Sequence, residues 1–263
     1  MHHLILITWK GLLRDRILQG ILVATGIFLF IPSVSVLSMR QVGELAITLS
    51  LSLSSFILLL IAVFCGGTAL WKDIDRHSIY SVLGLPISRT NYLLGKFFGI
   101  AGFLLLISLV LGLLACGTIW YISQADPPAR PILWTNILLA LAFDCLKYIM
   151  VVAVSFLFST VSTSFFLPIF GTITLFLGGN VTQEVYDYLQ TPAGATLPAL
   201  TKQIALFLYY LLPNFAVFDL KANAVYSIPI PGNGILLPLA YSLAYSGLLL
   251  SAAAMLFTRR ELH

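Results

Sequence analysis

The stretch "WKDIDRHSIYSVLGLPISRTNYLLGK", residues 71–96, lies between two long apolar runs. It gathers Lys72, Asp73, Asp75, Arg76, Arg89 and Lys96 in a chain of which 9% is charged and 59% hydrophobic. Ordinary soluble domains carry about 25% charged residues, and the mean hydropathy here is +1.00. That balance predicts a membrane protein whose polar island is a loop outside the bilayer. A hydrocarbon core of about 30 Å takes about 20 apolar residues per helical crossing. The 263 residues therefore accommodate six crossings with short connections, and the apolar runs place them at 17–38, 45–70, 97–121, 138–160, 163–181 and 235–257.

The expected fold class is an all-α polytopic membrane protein, a single helical domain over 1–263 with no internal repeat. Residues 1–16 read as an interfacial amphipathic helix: at 100° per residue Ile5, Leu6, Trp9, Leu12 and Leu13 share one arc, opposite Lys10, Arg14 and Asp15. No cleavable signal peptide is expected, since no charged region and small-residue cleavage site frame the first apolar run. "ITLSLSLSS" (47–55) alternates as a barrel strand does, but it runs on into "FILLLIAVF" without a turn, which favours a helix. The longest connection, 182–234, contains "IALFLYYLL" (204–212), cut off by Pro213. That run is too short to cross, so a re-entrant external segment is expected.

Orientation follows from Lys and Arg. With both termini in the cytoplasm, Lys10, Arg14, Arg16, Lys72, Arg76, Arg89, Lys96, Arg259 and Arg260 face inward, against Arg40, Arg130, Lys202 and Lys221 outward, as the positive-inside rule requires. The net charge of +4 is distributed by topology and points to no nucleic acid. Cys65, Cys116 and Cys145 lie far apart in apolar segments, which reads as packing, with no metal or disulfide framework. "TNYLLGKF" fails as a phosphate loop, with Thr90 in place of the first Gly and Phe97 in place of the hydroxyl. No His-Glu-x-x-His or Gly-x-Ser-x-Gly pattern occurs, and no catalytic residue is expected.

Within 71–96, Ile79, Val82 and Leu83 follow the polar "DIDRHS" at helical spacing, Gly84 and Pro86 end that helix, and Ser88 caps the next. The plain alternative is a helix that touches only lipid headgroups. The order of charged cluster, apolar patch, "LPISR" (85–89) and "LLGK" (93–96) resembles the first cytoplasmic loop of type-2 permease subunits of ATP-binding-cassette exporters, and the six-span layout is similar over the whole chain. The resemblance implies a coupling helix near 75–83 that fits a cleft on a separate cytoplasmic ATPase, with Asp73, Asp75, Arg76, Ser78, Ile79, Tyr80, Leu83, Pro86 and Arg89 as the contact set. His77 and Ser78 stand where the family often has Gly-Thr, and Asp73 or Asp75 serves for its Glu. It also implies a second permease subunit, a homodimer being the simplest form, and no cofactor on this chain, ATP and magnesium residing on the ATPase. A bacterial cytoplasmic (inner) membrane, with membrane lipid around the spans, is the implied setting.

Thr48, Ser52 and Ser55 align at i, i+4, i+7 and are candidates for a translocation path, although hydroxyls in spans also bond back to their own carbonyls. Tyr210, Asn214 and Phe215 are candidates for an outer gate. Asp144 and Lys147, at i, i+3, are the ionisable pair of an apolar segment; they are expected near the outer end of the fourth span, where Lys can snorkel. Gly95 with Gly99, and Ser155 with Ser159, mark close helix packing. A secondary transporter coupled to ions or protons, which needs an ionisable relay at the midplane, is one competing class, and another polytopic membrane protein without an ATPase partner, an integral membrane enzyme or passive scaffold, is the other.

Overall fold

The computed structural model describes residues 2–14, 19–21, 23, 25–36, 41–75, 88–126 and 131–259. Every regular element among them is helical. The principal helices are α1 (His2–Leu13), α2 (Val42–Asp75), α3 (Arg89–Ala125), α4 (Trp134–Val161), α5 (Phe166–Leu189), α6 (Ala199–Leu211) and α7 (Asn233–Arg259).

Four of them, α2, α3, α4 and α7, are long and apolar enough to cross a membrane. Both α2 and α3 outrun their expected spans; 34 and 37 residues at 1.5 Å each give about 50–55 Å, well beyond a bilayer core. The alternating serines of α2 are helical, as their bonds demonstrate. Thr48 Oγ1 donates to Glu44 O (2.8 Å) and Ser54 Oγ to Ser50 O (2.8 Å), so hydroxyls in the apolar medium are satisfied one turn back along their own helix.

The remaining expected crossings look different. Over 17–38 the described residues comprise helical positions at 19–21 and 23, a 3₁₀ helix, Thr25–Phe30, and the short helix Ile31–Ser35; no continuous helix of spanning length occurs among them. α5 starts three residues later than expected and runs on to Leu189. Its second half carries Asn180, Gln183, Glu184 and Asp187, which leaves its apolar portion short. α6 stops at Leu211, just before Pro213, and makes an angle of 56° with the following stretch Ala216–Val225. Counted as one bent segment, that pair would be a fifth crossing.

α4 is the central helix, packed against α2, α3, α5 and α7. α2 and α4 run parallel, with Ser55 beside Asp144 and Tyr148 and, further along, Gly66 and Gly67 beside Ser155 and Ser159. A Cβ on Gly66 would come within 3.1 Å of Ser155 Cβ, and Ser159 Oγ donates to Gly67 O at 3.1 Å. Between helices in lipid there is no hydrophobic drive, and close approach with hydroxyl bonds replaces it. The Ser155 and Ser159 face is thus a packing face. Where α3 meets α1, Trp9 Nε1 donates to Gly99 O (2.8 Å) and Thr8 fills the space a Cβ on Gly99 would need. Thr8 and Leu12 of α1 are buried, while Leu6 and Leu13 of the expected apolar arc are exposed.

Candidate functional site

Three clusters of polar contacts bear on function. The first closes the root of the loop between α2 and α3. Asp73, in the last turn of α2, pairs with Lys96 and accepts a hydrogen bond from the Tyr92 hydroxyl. Lys96 Nζ also donates to Ala69 O at 2.6 Å, and its ammonium lies over the Tyr92 ring. Tyr92 and Lys96 are four residues apart on α3 and so share a face. Ser88 caps α3 by accepting from the Asn91 amide (3.2 Å), as its place after Pro86 predicts. Arg89 Nη1 donates to Thr258 O (3.3 Å) in the last turns of α7, where unsatisfied carbonyls attract a cation. Trp71 meets Phe165, just ahead of α5, edge to face at 5.3 Å. The ends of α2, α3, α5 and α7 are therefore tied together beneath one loop. Of the residues expected to meet an ATPase, Asp73 turns inward to α3 and Arg89 toward α7, while α2 extends to Asp75. Arg76, Ser78, Ile79, Tyr80, Leu83 and Pro86 lie outside the described residues.

The second cluster is buried in the middle of α4. Asp144 and Lys147 are the eleventh and fourteenth residues of that 28-residue helix, about 15–20 Å from its start. The expectation of a pair at the span's outer end, with Lys snorkelling, is corrected by this depth. Asp144 is 2% and Lys147 4% exposed. Lys147 Nζ lies 2.6 Å from Asp144 Oδ1. Ser55 Oγ of α2 sits 3.3 Å from the same oxygen and 2.6 Å from the Tyr148 hydroxyl. Asp144 Oδ2 is buried with no hydrogen-bond partner among the described residues. Of the hydroxyl stripe, Ser55 alone enters this network; Ser52 is half-buried and Thr48 exposed.

The third cluster holds the bend after α6. Asn214 Oδ1 accepts from the Ala216 amide (3.1 Å), its Nδ2 donates to Gln183 Oε1 (2.7 Å), and its own amide donates to the Tyr241 hydroxyl (2.9 Å). Phe215 is fully buried against Phe176, ring centroids 5.3 Å apart, and its amide donates to Gly179 O (3.4 Å). Tyr210 is 75% exposed. The three residues proposed as a gate thus divide: Asn214 and Phe215 anchor the bend to α5 and α7, and Tyr210 faces the surroundings.

A family model described as "ABC-2 family transporter protein" matches residues 11–262. The chain belongs to that family. This ABC-2 family member is an integral membrane protein with the role of a transporter permease, and the resemblance drawn from the loop at 71–96 agrees with the match. No curated protein matches the chain.

Several partners escaped the sequence reading. Tyr92 and Lys96 had a legible signal, an aromatic donor and a cation at i, i+4 following an acid in the previous helix's last turn. Tyr148, Gln183 and Tyr241 had none, because each meets its partner across helices whose rotation only packing fixes.

Proposed function

We propose that this ABC-2 family member is the membrane subunit of an ATP-binding-cassette exporter, working as a homodimer on two cytoplasmic ATPase subunits. The observation that carries this reading is the braced root of the loop at 76–87: Asp73, Lys96, Tyr92 and Arg89 bind the ends of α2, α3 and α7 to one another. A motor moves spans only through something stiff, and a short helix rooted in that brace transmits a rigid-body shift. Residues 75–83 form the coupling helix in this reading, with Ile79, Tyr80 and Leu83 filling a hydrophobic cleft on the ATPase and Tyr80 as the principal anchor.

Six crossings, both termini inside and nine basic residues inward against four outward complete the topology. The segment 17–38 and α5 supply the two crossings beyond the four long helices. α1 lies at the cytoplasmic interface in contact with lipid, and α6 with its bend forms a re-entrant external element. Closure of the ATPase pair on ATP and magnesium shifts the coupling helices and rocks the spans, with the substrate moving outward along the dimer seam in a bacterial inner membrane.

Purification of the tagged chain from its native membranes in mild detergent tests this. A cassette ATPase is expected to accompany it and to be lost with Tyr80→Ala; recovery of the chain with no ATPase would overturn the proposal. The mid-helix Asp144–Lys147 pair is the one observation that favours the ion-coupled reading, since such transporters place ionisable groups at that depth. Transport that persists after deletion of every ATPase partner would select it.

A further inference from the structure

α1 rests on α3 by one face. Thr8 and Leu12 are buried there, Trp9 Nε1 donates to Gly99 O at 2.8 Å, and the indole meets Phe103 edge to face with ring centroids 6.2 Å apart. At about 100° per residue, Lys10 and Arg14 project from the opposite side, and Leu6 and Leu13 lie between the two faces. All four are exposed. The level at which α1 crosses α3 decides what surrounds them. Gly99 and Phe103 fall in the first two turns of the apolar run 97–121. Lys96, three residues before Gly99, is bound to Asp73 and to Ala69 O at the root of the polar loop. In the permease reading this is the boundary between hydrocarbon and headgroups, where basic side chains meet lipid phosphates.

Lys10 and Arg14 are four residues apart, so their charges are neighbours on the helix surface and repel one another. No salt bridge among the described residues neutralises either. A helix of 12 residues is marginal by itself, and an anion shared between the two cations relieves the repulsion, Arg gripping phosphate oxygens in pairs. Leu6 and Leu13 decide the kind of anion. A free phosphate or an acidic protein segment would leave both in water, whereas a phospholipid sets its phosphate beside the cations and its acyl chains beside the leucines. We infer that Lys10 and Arg14 bind the phosphate of anionic phospholipids, with Leu6 and Leu13 against the acyl chains, and that the bound lipid holds α1 on α3 next to the brace. The inference rests on the permease reading for the place of α1 at the membrane boundary, and it requires no ATPase.

Quenching of Trp9 by brominated lipids tests this in the full chain. With Trp71, Trp120 and Trp134 replaced by Phe, Trp9 is the one remaining indole, and the protein is reconstituted in phosphatidylcholine vesicles in which either phosphatidylglycerol or phosphatidylcholine carries the bromine. At about 0.1 M salt, phosphatidylglycerol is expected to associate beside Trp9 about thirtyfold more strongly than phosphatidylcholine, about fivefold for each basic residue. Lys10→Gln and Arg14→Gln should each lower that preference about fivefold, and together bring it near unity. Lys10→Arg with Arg14→Lys, which keeps both charges, should preserve it. At about 1 M salt, where screening acts within about 3 Å, the preference of the parent chain should be lost. Equal quenching by the two lipids in the parent chain, or a preference that survives the double Gln substitution, would overturn the inference. If neither lipid quenches Trp9, α1 lies away from the bilayer, and both the lipid site and the interfacial placement of α1 fall. Recovery of an ATPase with the tagged chain is independent of every one of these outcomes, so the permease reading stands or falls separately.

Discussion

Gly179→Ala is the sharpest test of how the bend after α6 is held. A Cβ at Gly179 would lie 2.2 Å from Pro213 O and 2.7 Å from Phe215 Cδ2. Neither can retreat: the first is backbone, and Phe215 is fully enclosed. At the neighbouring Gly178 the nearest atom is Leu212 Cδ1 at 3.4 Å, an ordinary contact with a flexible side chain. Both positions are in the interior of α5, where Gly→Ala gains about 1 kcal/mol in helix propensity. Gly178→Ala should therefore be neutral or slightly stabilising. Gly179→Ala sets that gain against overpacking of about 1–3 kcal/mol or more, together with loss of the Phe215 amide bond to Gly179 O, worth about 1 kcal/mol. A net cost of about 2 kcal/mol corresponds to a fall in Tm of about 4–8 °C for a chain of this size. Thermal unfolding of the detergent-solubilised protein, followed by size-exclusion chromatography of a fluorescent fusion, measures the pair side by side. Equal Tm values for the two variants would refute the packing argument for the bend.

At the brace, Lys96→Met removes the ammonium from the half-buried Asp73 carboxylate and keeps the Tyr92 bond; ATP hydrolysis by the partner subunits should continue while transport per ATP falls at least tenfold, and unchanged coupling would count against the brace as a lever. Trp9→Phe removes the indole bond to Gly99 O and keeps the edge contact with Phe103, so α1 should loosen by about 1 kcal/mol, read as faster proteolysis near Arg14 with the rest of the chain intact. Tyr80→Ala should weaken ATPase binding by about thirtyfold or more if it is an anchoring residue, as measured by titrating purified ATPase onto the chain in nanodiscs.

The sequence made the fold class and the placement of its long helices legible for a physical reason: runs such as 47–70 and 97–121 are too apolar for any other medium, and the charges at 71–96 have to leave it. The termination of α6 before Pro213 and the cap at Ser88 were legible because each depends on local backbone chemistry. The number of crossings was less so. Average hydropathy does not reveal that 25–30 winds as a 3₁₀ helix or that α5 carries polar residues through its last turns. The site was half legible. Asp144 and Lys147 stood out as ions in an apolar run, but their depth depends on α4 beginning at Trp134, and their link to Ser55 depends on how α2 is rotated. The stripe Thr48, Ser52, Ser55 is one face by arithmetic and three environments in the fold, because α2 passes from an exposed position to the enclosed seam along it.

α2 joins two features that neither the loop nor the spans have separately. Its last turn is fixed to α3 through Asp73, and 18 residues earlier Ser55 is fixed to α4, about 27 Å away along one helix. No proline interrupts the residues between them, and the helix is continuous through Gly66 and Gly67, so the two attachments belong to one element. The attachments differ in kind. The brace combines an ion pair, a phenol bond and the bond from Lys96 of α3 to the Ala69 carbonyl of α2, whereas α4 is met by Ser55 at Asp144 and Tyr148 and, further along, by the Gly67 carbonyl, which accepts from Ser159. α2 is thus held to α3 at one end and to α4 at two points along its length, and α4, the most enclosed of the crossings, is the helix against which α2 and α3 both pack.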